Sequence, residues 1–244
     1  MIDWLRGEGQ MPIAEPEIEL CGEDLPIIVR RHPRAKRLTL RLAPDGSEVR
    51  VSLPRWASTR EAIQFAHARA EWLAAQKEKL PPRSSPKPGG TIQFRGETLA
   101  IDWRADAPRK PQFAAGCVQL GGPQSSLTRR LQKALEGRAL ELFEADRDDY
   151  CKAAGLKPAP VRISRAQRRW GSCSDKDALR INWRLVQAPD AVRRSVVAHE
   201  VTHLVHFDHS PAFHALLDEL YEGDISAADR WLKEKGRTLY TSFG

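Results

Sequence analysis

Apolar and polar positions alternate through residues 27 to 54, with a break at Ala43-Pro44-Asp45-Gly46. That period-two pattern predicts strands joined by a turn. The period changes at Ser58-Thr59-Arg60-Glu61, a serine with a glutamate three residues later, which is the signature of a capping box. Ala62, Ile63, Phe65, Ala66, Ala70, Leu73 and Ala74 carry the pattern on as one helix over 58–80. Prolines and glycines crowd the run from Pro81 to Gly90, a linker or long loop. Residues 91 to 103 read as a hairpin around Arg95-Gly96-Glu97, and Val118-Gln119-Leu120 as a short strand. Leu127, Leu131, Leu135, Leu142, Phe143 and Tyr150 share a face of a long amphipathic helix over 125–154. Val161-Arg162-Ile163 and Leu179 to Trp183 read as strands flanking a Trp170-Gly171-Ser172-Cys173 turn. Residues 1 to 24 show no periodicity and read as a loose lead-in.

Small and apolar residues recur at helical spacing from Ala191 to Val205. No Gly or Pro interrupts them, and Pro189 is placed as a first helical residue. His199 and His203 lie four apart on this helix, so their imidazoles project from one face, a turn apart. Two such histidines can grip one metal ion. Glu200 then sits beside the ion, where a carboxylate can take a proton from water. The competing reading is a buried helix whose histidines satisfy core hydrogen bonds. A catalytic zinc site needs a third protein ligand and an open fourth position. His206 would require three ligands stacked along one helix. The chain therefore has to turn, and Phe207-Asp208-His209-Ser210-Pro211 supplies the turn, with Ser210 and Pro211 as cap and first residue of a second helix over 212–221. His209 ranks first as third ligand, then His214, then His206.

Several strings beyond this motif carry a resemblance. They are Arg168-Arg169-Trp170-Gly171-Ser172-Cys173-Ser174, Arg180-Ile181-Asn182-Trp183-Arg184-Leu185, Pro189, the His199-Glu200-Val201-Thr202-His203 motif and His209-Ser210-Pro211-Ala212-Phe213. Together they resemble the YgjP-like metal-dependent hydrolases, which are related to SprT-type zinc metalloproteases. The likeness runs from roughly residue 25 to residue 235. It implies zinc (Zn2+) as cofactor, His199, His203 and His209 as metal ligands, and Glu200 as catalyst. Two positions depart from the family pattern. His214 stands where an aromatic, most often Trp, is usual, and Asp208 where Asn is usual. The first offers an extra ligand or a different pocket floor, the second a carboxylate partner for a ligand.

Composition narrows the context. With 41% hydrophobic and 29% charged residues the chain suits a globular protein, and no apolar run approaches the ~20 residues that span a bilayer. Asp3, Arg6 and Glu8 near the start do not suit a secretory signal. The four cysteines are scattered and form no C-x-x-C pair, which points to a reducing, cytoplasmic setting. The net charge of +7 is uneven. Arg30, Arg31, Arg34, Lys36, Arg37 and Arg41 form one block, and Arg162, Arg165, Arg168 and Arg169 another. Such blocks are candidates for nucleic-acid contact, with a solvated strand face as the plainer account.

These readings combine into an α+β protein. Residues 1–24 are the lead-in, residues 25–105 a β-rich N-terminal part with the 58–80 helix, and residues 125–235 a zincin-like catalytic core. That core has a long backing helix, a small sheet and the metal-binding helix. The expected activity is zinc-dependent hydrolysis of peptide bonds in proteins or peptides, with Glu200 as general base. Trp170, Gly171, Ser172 and Arg169 border the substrate, while core packing is the alternative for Trp170 and Trp183. Arg168, Arg169, His214 and Tyr221 are candidates to stabilise the oxyanion, and Cys173 takes a structural or rim role. Two other activities fit the same residues: a metal-dependent hydrolase of nucleotides or phosphate anhydrides, and a nucleic-acid-binding module with structural zinc. The latter requires a fourth protein ligand.

Overall fold

A computed structural model describes residues 16–174 and 178–243. Most of the expected lead-in, residues 1–15, lies outside them. Contacts divide the chain into two compact units at the Leu80–Pro81 bond.

The first unit contains β1 (Glu17–Leu20), β2 (Glu23–Arg31), β3 (Thr39–Leu42), β4 (Val49–Leu53), α1 (Thr59–His67) and α2 (Ala70–Glu78). Its sheet runs β1-β2-β4-β3, with β2 parallel to β4 and the outer pairs antiparallel. Alternation decides the faces: Val49, Val51 and Leu53 are fully buried, while Arg50 and Ser52 stay partly exposed. Ala62, Ala66 and Leu73 close the core from the helices. The capping box forms as read. Glu61 accepts from the Ser58 N–H at 2.6 Å, and the Glu61 N–H donates to Ser58 Oγ at 3.2 Å. Two expectations are corrected. The 58–80 helix is broken at Arg69, whose φ of −117° and ψ of 18° leave the helical region. The lead-in already contains β1, where Ile18 and Leu20 bury themselves in an alternation too brief to stand out in sequence. The block from Arg30 to Arg41 is exposed at all six basic positions. One of these, Arg31, donates to the Arg55 and Ala57 carbonyls and so ties down a loop.

The second unit opens with β5 (Thr91–Phe94), β6 (Glu97–Trp103), β7 (Gln112–Ala114) and β8 (Cys117–Leu120), in the order β5-β6-β8-β7. The long helix α3 (Leu127–Ala153) follows. Next come β9 (Val161–Ser164), β10 (Gly171–Cys173) and β11 (Leu179–Asn182), ordered β10-β11-β9, and then α4 (Asp190–Thr202), α5 (Pro211–Leu220) and α6 (Ile225–Lys235). The fold is thus α+β, with six α-helices and three small mixed sheets among the described residues. Leu131, Leu135, Ala139 and Phe143 of α3 share one core with Trp183, Val197, Ala198 and Val201.

Three readings shift here. The N-terminal part was expected to reach residue 105, yet Ile92, Leu99 and Ile101 of the β5–β6 hairpin belong to the α3 core, which assigns that hairpin to the second unit. The Trp170–Cys173 turn is largely a strand, β10, paired antiparallel with β11. Pro189 caps α4 rather than starting it, its ψ of 145° being extended. Strand β7 and helix α6 were not among the expected elements.

A charged lattice joins α3 to α4. Arg193 and Asp146, only 3% and 4% exposed, meet at 2.7 Å. Arg194 reaches Asp146 at 3.0 Å and Asp149 at 3.1 Å, and it also pairs with Glu222. Tyr150 donates to Glu222 at 2.8 Å. Asp190 receives both Arg193 and Arg95. A buried pair of this kind fixes the rotation of α4 about its own axis, because turning the helix would strand a desolvated charge.

Candidate metal centre

Helix α4 ends where its second histidine begins. His203 is the C-cap, its N–H bonded to the His199 carbonyl at 3.2 Å, and the chain turns at once, with the His206 N–H on the Thr202 carbonyl at 3.0 Å. The helical pattern expected to run to Val205 therefore stops at Thr202. This turn brings the His206 carbonyl oxygen to 3.0 Å from His203 Nδ1. Ser210 then caps α5, its Oγ accepting from the Phe213 N–H, with Pro211 as the first helical residue. The two caps reverse the chain and return His209 to the face of α4.

The outcome is a convergence of three imidazoles. His199 Nε2 lies 3.2 Å from His203 Nε2 and 3.3 Å from His209 Nε2, and the ligand atoms all fall within 4.8 Å of one another. A carbonyl only accepts, so Nδ1 of His203 carries the proton and its Nε2 presents a lone pair. His199 Nε2 faces both that lone pair and His209, and no placement of one proton satisfies both contacts well. A cation at the centre would satisfy all three. Two ligands on a tetrahedral zinc, each about 2.0–2.1 Å from the ion, stand about 3.3–3.4 Å apart, which the His199–His203 and His199–His209 separations match. The donor set therefore fits a zinc-type ion. Phe213, fully buried, forms the floor, its ring centroid 4.7–4.9 Å from all three imidazoles. Burial, and after it the neighbouring histidines, pushes the His199 pKa down to about 4. The ring is thus neutral and ready to ligate at ordinary pH.

Glu200 is 5% exposed. Burial pushes its pKa up to about 7, against the Cys173 backbone N–H, which donates to the carboxylate, and the charge of Arg169. Its Oε2 is buried without a hydrogen-bond partner among the described residues. Gly171 makes room for it: a Cβ there would stand 2.6 Å from Glu200 Cγ and 2.7 Å from Cδ. The edge strand β10 thereby cradles the carboxylate from both of its ends.

A cavity of about 430 Å³ opens beside these groups. Of the residues expected to border the substrate, Trp170 and Gly171 line it, while Ser172 and Arg169 do not. Arg169 is exposed and acts on Glu200 through its charge. Trp170 also packs on Tyr240, ring centroids 5.9 Å apart, and Trp183 is wholly core. The lower-ranked third ligands fall away: His206 contributes its carbonyl, and His214 lines the cavity with its ring 6.5 Å from that of His209. Asp208 bonds to Ser210, which holds its carboxyl below the usual range. Tyr221 donates its hydroxyl to the Ala191 carbonyl at 2.8 Å, which removes it as an oxyanion donor. Sequence reading missed the part played by Phe213 as floor and the Asp146–Arg193 anchor. The helix-floor spacing after Ser210 hinted at the first, but nothing hinted at the second.

The model of the YgjP-like metallopeptidase domain matches residues 36–235, and the chain belongs to that family. It is therefore a metal-dependent peptidase at the level of its family, and a hydrolase. No curated protein matches it. Among solved structures it is similar to the metallopeptidase zymogen of Pyrococcus abyssi abylysin. That alignment has 18% identity and a TM-score of 0.34, over 41% of this chain and 96% of that one. No helix among the described residues is long and apolar enough to cross a membrane.

Proposed function

We propose that this protein is a zinc-dependent peptidase of zincin-like build, in which His199, His203 and His209 hold the metal and Glu200 is the general base. The observation that carries the reading is the meeting of three imidazole nitrogens beside a buried carboxylate. When bound, zinc supplies Lewis-acid polarisation of the scissile carbonyl and lowers the pKa of water to near neutrality. Glu200 Oε2 takes the proton of the attacking water and returns it to the leaving amine. A carboxylate with a pKa near 7 suits both transfers. The Cys173 N–H keeps that carboxylate aimed. As the edge strand of its sheet, β10 is the side on which an extended peptide can add. Helix α3 backs α4, as the zincin-like plan requires. Among the described residues the candidate metal group has three protein ligands rather than four, which favours an open, catalytic site over a structural one.

Metal analysis and peptide cleavage test this together. The protein should hold about one zinc per chain. Glu200→Gln should keep the zinc and lose hydrolysis, and His203→Ala should lose both. Full activity of Glu200→Gln on a confirmed substrate would overturn the general-base assignment.

A further inference from the structure

The cavity extends past the reacting groups, and its far wall is not uniformly apolar. Three residues of α6, Ile225, Asp229 and Leu232, line it at spacings of four and three, which is one face of the helix. Val196 and Leu217 face them from α4 and α5, and Trp170 closes a side. The stripe that α6 presents is therefore greasy except at Asp229. Among the described residues that carboxylate has neither a salt bridge nor a hydrogen bond. Of the other polar groups of the cavity, Ser195 donates to the Val192 carbonyl at 2.9 Å, His199, His209 and Glu200 belong to the centre, and His214 stands beside His209, ring centroids 6.5 Å apart. An apolar residue at position 229 would complete the stripe. Instead an unpaired negative charge stands at its exposed rim.

We infer that this cavity is a substrate side-chain pocket, and that Asp229 selects peptides with lysine or arginine next to the scissile bond. This rests on the peptidase reading above. A lysine or arginine side chain has the matching build, an apolar stem to lie on Ile225, Leu217 and Leu232 and a cationic head to meet the carboxylate at the rim. The cavity has room for one such side chain beside the reacting atoms. Because the carboxylate is exposed, the attraction is moderate and screened by salt. Asp229 is a specificity residue and takes no part in the proton transfers.

The test is cleavage of a diverse synthetic peptide library by the zinc-loaded full chain, with sites mapped by mass spectrometry. Lysine and arginine should be enriched at one position flanking the cleaved bonds, on the order of tenfold over aspartate and glutamate. Asp229→Lys should reverse that ratio and Asp229→Asn should flatten it. Raising ionic strength should weaken the wild-type preference. Cleavage with no basic preference, or a preference that survives Asp229→Lys, overturns the pocket assignment and leaves the peptidase reading standing. Cleavage of no peptide at all, by protein that holds zinc, overturns both.

Discussion

Gly171→Ala isolates the role of the strand that cradles Glu200. The backbone at Gly171 is ordinary extended strand, so alanine meets no conformational penalty there. The whole effect comes from the new Cβ, which would lie 2.6 Å from Glu200 Cγ, whereas ordinary contact begins at 3.4 Å. The side chain must therefore retreat by at least about 0.8 Å, since Oε1 would lie nearer the Cβ than Cγ does, and it is 5% exposed, with core on its other side. A misplacement of about 1 Å at a reacting group can cost around 100-fold in rate, equivalent to about 2.7 kcal/mol of transition-state stabilisation. The expected result is a 30- to 100-fold fall in kcat/KM, with zinc content unchanged because the three imidazoles are not touched. Overpacking should also lower stability by about 1–3 kcal/mol. Steady-state kinetics on a mapped peptide, with metal analysis and a melting curve on the same preparation, reads all three. A variant that is folded, zinc-loaded and within threefold of wild type would refute the claim that β10 positions the base.

The α3–α4 lattice can be tested through stability. Asp146→Ala leaves the 3%-exposed Arg193 with Asp190 as its remaining ion pair. Denaturant unfolding should show a loss of about 3 kcal/mol, and replacing Asp146 and Arg193 together by apolar residues of similar volume should recover most of it. Gly137 stands exposed within α3, where a Cβ would meet nothing within 4 Å. Gly137→Ala should raise stability by about 0.5–1 kcal/mol, measured as a higher midpoint with unchanged slope.

Strongly periodic segments were legible in the sequence. The long helix, the β5–β6 hairpin and the strands β8, β9 and β11 each follow from a run whose apolar spacing admits one structure. The capping box at Ser58 and the Ser210-Pro211 helix start were equally plain, because caps are local chemistry. What stayed hidden was set by distant partners. Gly171 looked like turn material, since nothing nearby shows that a glutamate of α4 would occupy the space where its side chain belongs. Asp146 and Arg193 lie 47 positions apart on two helices, and no local pattern marks them as partners until the helices are docked. The two-unit division was misjudged for the same reason. The Pro81–Gly90 run was correctly seen as a joint, but which core claimed the next hairpin depended on Ile92, Leu99 and Ile101 meeting α3. At the metal centre the three histidines were the foremost candidates in sequence, whereas the tautomer-setting carbonyl of His206 could only emerge from the turn.

The short span between His199 and His209, ten positions apart, has a consequence for how the site assembles. Closing so small a loop costs little chain entropy, so the ligand cluster can form early and nearly on its own. Glu200, the proposed general base, is different. Its aim depends on Gly171 and Cys173, which reach it only after a strand far upstream has found its place. A partly unfolded chain would then still capture metal while being unable to cleave anything, so that metal occupancy by itself is no measure of how much enzyme is competent.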